Sequence, residues 1–126
     1  MLMPAAVLIM VVLGAVCVDR AVIFGAQREL VATAQAAASD AASLGVDIDR
    51  LRADGGVEPD LDEMAHAVAL ATAGVPAGTT VTWDLRGGTV DVHLERDVKL
   101  VFSPGVPGGR HTTHVEATAS AELRRR

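Results

Sequence analysis

Asparagine and tyrosine are absent from this chain of 126 residues, Cys17 is its only cysteine and Lys99 its only lysine, and Phe24, Trp83 and Phe102 are its only aromatic residues. Each scarcity excludes something. One cysteine excludes an intrachain disulfide, and because Cys17 lies inside an apolar run it leaves the rest of the chain without thiol chemistry. Packing alone must then hold the fold. With so few aromatic residues, the apolar half of the composition is mostly Ala, Val and Leu. Ala favours helices and Val favours strands, which predicts a helical part and a stranded part. The net charge of -5 and the lack of a basic face argue against nucleic acid or an anionic lipid surface as an obvious partner. Arg124, Arg125 and Arg126 read as a solvated tail.

Charge is also missing from the start of the chain, where Met1 to Val18 carry none. Eighteen helical residues at about 1.5 Å each reach roughly 27 Å, close to the hydrocarbon thickness of a bilayer. In a water-soluble fold such a run would need burial all round, which the remaining hundred or so residues could hardly supply. Residues 1–20 are therefore expected to span a membrane as a single pass. A cleaved signal peptide fits less well, because the helical pattern runs on past Asp19 and Arg20 into Ala21-Val22-Ile23-Phe24 and an Ala-rich stretch free of proline. Lipidation at Cys17 is disfavoured by Val16 before it and by the lack of a basic segment ahead of the run. The only nearby cations, Arg20 and Arg28, follow the span, which by charge alone would set the C-terminal part on the cytoplasmic side.

Residues 21–44 continue the helix outside the membrane. Ile23, Ala26, Leu30, Ala34, Ala37, Ala41 and Leu44, spaced by threes and fours, form one narrow stripe. Such a stripe is a helix-packing seam, and its alanines permit close approach either of the protein's own sheet or of another subunit. Gly45 is a natural stop, and Gly55, Gly56 and Pro59 mark a loop over 45–59. Residues 60–126 then form a small helix-plus-sheet unit. Asp60 is placed to cap a second helix, with Glu63 completing a reciprocal capping box, and Leu61, Met64, Ala65, Val68 and Ala71 give that helix an apolar face before Gly74 and Pro76.

Beyond Gly78 the period changes from helical to alternating. A two-residue turn at Gly87-Gly88 would set Leu85 opposite Val90, Trp83 opposite Val92 and Val81 opposite Leu94, every pair apolar. Val98, Leu100 and Phe102 suggest a further strand, Ser103 to Gly109 a loop, and Val115, Ala117, Ala119, Ala121 and Leu123 a last strand. The expected class is α+β: a long N-terminal helix and a short second helix packed on a three- to four-stranded antiparallel sheet.

The residues offer little for catalysis. No nucleophile elbow, Walker loop or dinucleotide fingerprint occurs, and Asp91, Glu95, Asp97 and Glu116 alternate with apolar neighbours as a solvated sheet face does. His66, His93, His111 and His114 are the only imidazoles. His111 and His114 point to opposite faces of an extended segment, and Glu63 with His66 falls short of a metal set, so no catalytic, cofactor or metal site is expected.

Leu13-Gly14-Ala15-Val16-Cys17-Val18-Asp19-Arg20-Ala21, an apolar helix ending in an acidic residue and an arginine, and the polar run Gln27-Arg28-Glu29-Leu30-Val31-Ala32-Thr33 giving way to Ala34-Gln35-Ala36-Ala37-Ala38, carry a resemblance. The stretch from Leu8 to Ala42 resembles the TadE/TadG-like, Flp-type pilus assembly proteins of bacteria. That resemblance implies a pilin-like fold, an inner-membrane anchor, an extracytoplasmic C-terminal domain and assembly with other pilus or secretion-apparatus subunits, with no small-molecule substrate. Met1-Leu2-Met3-Pro4 lacks that family's basic leader, peptidase site and glutamate, and a start upstream of Met1 would supply the leader and reverse the charge argument on orientation. The competing expectation is an anchored sensor or ligand-binding module using the exposed sheet face or the Ser103 to Gly109 loop.

Overall fold

The computed structural model describes residues 2–45 and 59–123. Most of the loop expected over 45–59, including Gly55 and Gly56, and the terminal arginines lie outside the described residues.

One helix, α1, runs without a break over Leu2–Leu44. Pro4 falls in its first turn, where a missing N–H disrupts no intrahelical bond, and no other proline follows before the helix ends. At about 1.5 Å per residue its 43 residues reach on the order of 65 Å, twice the thickness of a bilayer core. It ends as expected before Gly45, although not through a left-handed glycine, since Gly45 is not among the residues with positive φ. Space is the reason for glycine there. A Cβ at Gly45 would run into the Met64 side chain and come within 2.7 Å of the Ala41 carbonyl oxygen.

A second helix, α2, covers Leu61–Ala71. The Asp60 carboxylate caps it, accepting from the N–H groups of Asp62 and Glu63 at 3.1 Å each. The reciprocal half of the expected capping box does not form, because the Asp60 N–H donates instead to the Gly45 carbonyl at 2.9 Å. That bond ties the start of α2 to the end of α1. Met64, Ala67 and Val68 are buried, and α2 packs along α1.

Strands β1 (Thr80–Arg86), β2 (Thr89–Lys99) and β3 (Thr112–Glu122) form an antiparallel sheet in the order β1-β2-β3. Gly87 and Gly88 both take positive φ, 56° and 82°, as a tight two-residue hairpin turn requires. The resulting register pairs Leu85 with Val90, Trp83 with Val92 and Val81 with Leu94, as the alternation predicts. β2 extends further than its first apolar residues suggest: Val98 belongs to it, whereas Leu100 and Phe102 lie beyond its end, leading into a 3-10 turn at Ser103–Gly105. The sheet therefore has three strands. The architecture is α+β, with a long N-terminal helix, a short second helix and a three-stranded antiparallel sheet.

The core lies where the second half of α1 meets β2, β3 and α2. Val90, Val92, Leu94, Val98, Val115 and Ala117 face it from the sheet. α1 does not reach β1, so Val81, Trp83 and Leu85 are only half-buried at that edge. Strand parity also turns Arg96 inward. Its guanidinium is largely covered, lies 3.7 Å from Glu29 on α1, and leaves Nε without a partner.

Candidate functional site

The first half of α1 is the largest unpartnered apolar surface among the described residues. Leu2, Met3, Val7, Leu8, Ile9, Met10, Val11, Val12, Leu13, Val16 and Val18 are all exposed, on every side of the helix. Only 6% of the most apolar 18-residue window is buried inside the protein. One N-terminal helix is thus long and apolar enough to cross a membrane. A helix apolar all round is stable only when lipid or protein surrounds it. Cys17 is exposed on this segment.

The second half behaves differently. Of the seam residues, Ala26, Leu30, Ala34, Ala37 and Ala41 are buried, Ile23 is half-buried, and Leu44 is exposed. Ala38 and Ala42 join them in the core. Ala34, Ala37 and Ala41 retain no measurable exposure, and a methyl side chain is what lets the helix axis lie close to the strands. This stripe is occupied by the protein's own sheet and α2.

Between the halves sits Asp19, a buried carboxylate at 6% exposure. Its Oδ1 accepts from the N–H groups of Val101 at 2.9 Å and Phe102 at 3.0 Å. Its Oδ2 accepts from the Ser103 N–H at 2.8 Å and from the Ser103 hydroxyl. Four donors converge on one charge, which satisfies the carboxylate away from water and clamps the β2–β3 loop to the helix. The stripe beginning at Ile23 did not include Asp19, yet Asp19 precedes Ile23 by four residues and so continues the same helical face. A charged residue in register with a packing seam was the signal available in the sequence. The loop supports the clamp: Leu100 N–H donates to the His111 carbonyl at 3.0 Å and Gly109 N–H to Val106 at 2.8 Å. A Cβ at Gly109 would fall on the Ser103 carbonyl, so the chain can cross there only as glycine.

The outer face of the sheet gathers charges that sequence spacing leaves apart. His93 Nδ1 lies 2.7 Å from the Thr118 hydroxyl, and its Nε2 lies 3.6 Å from Glu95 and 4.0 Å from Glu116. His114 Nε2 is 3.5 Å from Glu95, and its Nδ1 is 3.0 Å from Asp97. The hydrogen bond to Asp97 raises the His114 pKa above its ordinary 6.5, with the charges of Asp97, Glu95 and Glu116 adding to it and partial desolvation opposing. His93, Glu95 and Glu116 offer three donor atoms within 4.8 Å of one another and could share a divalent cation with solvent, although exposed acidic groups commonly cluster without one. Spacing along β2 sets His93 beside Glu95, and pairing of β2 with β3 brings Glu116 to them. His66 and His111 are exposed and stand apart from this group.

At the β1 edge, Pro59, Leu61, Trp83, Asp84 and Leu85 line an open groove of about 550 Å³ among the described residues. No family model, curated protein or solved structure matches the chain.

Proposed function

We propose that the protein is a membrane-anchored, minor pilin-like or pseudopilin-like component of a Tad/Flp-type pilus or secretion apparatus, acting by assembly with other subunits and not by catalysis. The observation that carries this reading is the division of α1: an exposed apolar half followed, in the same unbroken helix, by a half sunk into a small α+β domain. A helix built this way can lie in lipid and can later be surrounded by the helices of neighbouring subunits without refolding the domain. The resemblance of Leu8 to Ala42 to TadE/TadG-like proteins points the same way, and with it comes an extracytoplasmic domain.

Because the Ala stripe is filled from within, the reading places subunit contacts on residues 2–18. Gly14 supports this: a Cβ there would meet nothing within 4 Å, so a neighbouring helix could approach its backbone. Cys17 supplies the test. Mild oxidation of native membranes should trap disulfide-linked species through Cys17, or, where a partner lacks cysteine, a photo-crosslinker at Leu13 should yield discrete adducts with pilus-type subunits. A chain that stays uncrosslinked by both routes while correctly anchored would contradict assembly through this surface. Protection of the C-terminal domain from protease in intact cells would contradict its external placement.

A further inference from the structure

The β2–β3 loop is an exposed apolar feature outside α1 whose position along the membrane axis is fixed at the end of the uncharged run. Asp19 binds the backbone of Val101, Phe102 and Ser103, so the loop is held at the height of the residue directly after the uncharged run. If residues 2–18 cross the bilayer, that height is the boundary between hydrocarbon and headgroups. Residues 100–109 carry no charge. Within them Val101, Phe102 and Val106 are exposed by 59%, 47% and 60%. Lys99 and Arg110 flank the stretch and Arg20 follows the clamp, all three exposed, so folding gathers at this loop cations that the net charge of -5 and the linear sequence do not show as a basic face. Apolar side chains bracketed by cations are the pattern of a surface that rests in the interface of an anionic bilayer, where basic groups meet phosphate and apolar groups reach the acyl boundary.

We infer that the Leu100 to Gly109 loop is a second membrane contact, with Val101, Phe102 and Val106 entering the interface beside the anchor and Lys99, Arg110 and Arg20 meeting anionic headgroups. The clamp by Asp19 makes the contact specific to one orientation. A free loop could turn its apolar residues inward, whereas here the N–H groups of Val101 and Phe102 are committed to the carboxylate and that of Val106 to the Ser103 carbonyl. With two points of contact the rigid unit of helix and domain cannot turn freely about the anchor, so the tilt of the domain on the membrane is set. The inference rests on the membrane-anchor part of the proposed function.

The test uses the full chain in vesicles containing phosphatidylglycerol, with lipids brominated near the headgroup end of the acyl chain as quencher. Trp83→Phe removes the native tryptophan, and Phe102→Trp places a reporter on the loop. The expected result is strong quenching by the lipid and little by aqueous iodide. A companion reporter, Val11→Trp, near the middle of the span, reads the anchor alone with lipids brominated deeper along the acyl chain. Quenching of Val11→Trp without quenching of Phe102→Trp overturns the loop contact and leaves the anchor standing, and absence of both overturns the two together. If the Trp83→Phe background does not fold, a bimane dye on Val106→Cys in a Cys17→Ser chain gives the same readout. Neutralising the flank with Lys99→Gln and Arg110→Gln should reduce loop quenching in phosphatidylglycerol vesicles and leave it unchanged in phosphatidylcholine. Equal loss in both lipids would contradict the electrostatic part.

Discussion

The two halves of α1 are equally helical and both present apolar surface, the first on every side and the second along one stripe, yet that surface is built from different residues. Residues 2–18 are rich in Leu, Val, Ile and Met, and the seam from Ala26 to Ala41 is four-fifths alanine, with Leu30 the exception. Large side chains suit a helix whose surroundings are fluid, because lipid or another helix adapts to them. Small ones suit a helix that must lie close to a fixed sheet. The apolar content of a helix therefore says that it will be covered, and the size of its apolar residues says by what. Asp19 marks the change of surroundings and fastens the loop that sits there.

The largest difference is expected from one substitution in each half. Ala34→Asp puts an unpaired carboxylate where nothing is exposed, which should cost about 3 kcal/mol or more and leave much of the domain unfolded by circular dichroism and proteolysis. Val12→Ala in the other half should leave the unfolding midpoint of the domain unchanged. Equal effects would erase the distinction.

Gly45→Ala tests the junction between α1 and α2. The added methyl meets Met64 and the Ala41 carbonyl, so a loss of about 1–3 kcal/mol by denaturant titration is expected. If Gly45 acted only as a helix stop, the change would be close to neutral.

Asp19→Ala leaves the N–H groups of Val101, Phe102 and Ser103 without their acceptor. Faster amide hydrogen exchange at those three residues is expected, confined to the loop, while the buried residues of β2 keep their protection. Loss of protection throughout the sheet would mean that the clamp supports the domain and not only the loop.

The smallest effect is that of pH on His114. Its pKa is higher folded than unfolded, so its contribution to stability is complete below about 6.5 and is lost as pH rises through the folded value. Wild type should lose slightly more stability than His114→Gln over that interval, and the imidazole titration followed by NMR should lie above 6.5. A titration below 6.5 would contradict the Asp97 contact.

Much of the architecture was legible in the residues. Helix and hairpin follow from periodicity, and the Gly87-Gly88 register follows from turn length, because these depend on neighbours in sequence. What was not legible depends on tertiary placement. Arg96 turns inward because β2 continues through Val98 without a break, a parity that only an uninterrupted strand imposes. Glu63 failed as a capping partner because Gly45, fifteen residues before Asp60, took the N–H first. His114 meets Glu95, which His93 already faces along β2, only because β3 lies beside β2. The Asp19 clamp joins groups more than eighty residues apart, and its one local trace was an aspartate in phase with the Ala seam.

The most direct test is a spin-label scan along α1 in the full chain, in a Cys17→Ser background reconstituted in vesicles, comparing accessibility to oxygen and to a water-soluble nickel chelate. High oxygen and low nickel accessibility is expected at every position from 7 to 16, then high nickel accessibility at 28, 32, 35 and 39, the exposed side of the second half. Nickel access throughout residues 7–16, or lipid-like oxygen access without nickel access at 28, 32, 35 and 39, would contradict a single helix that is in the membrane for its first half and in its own domain for the second.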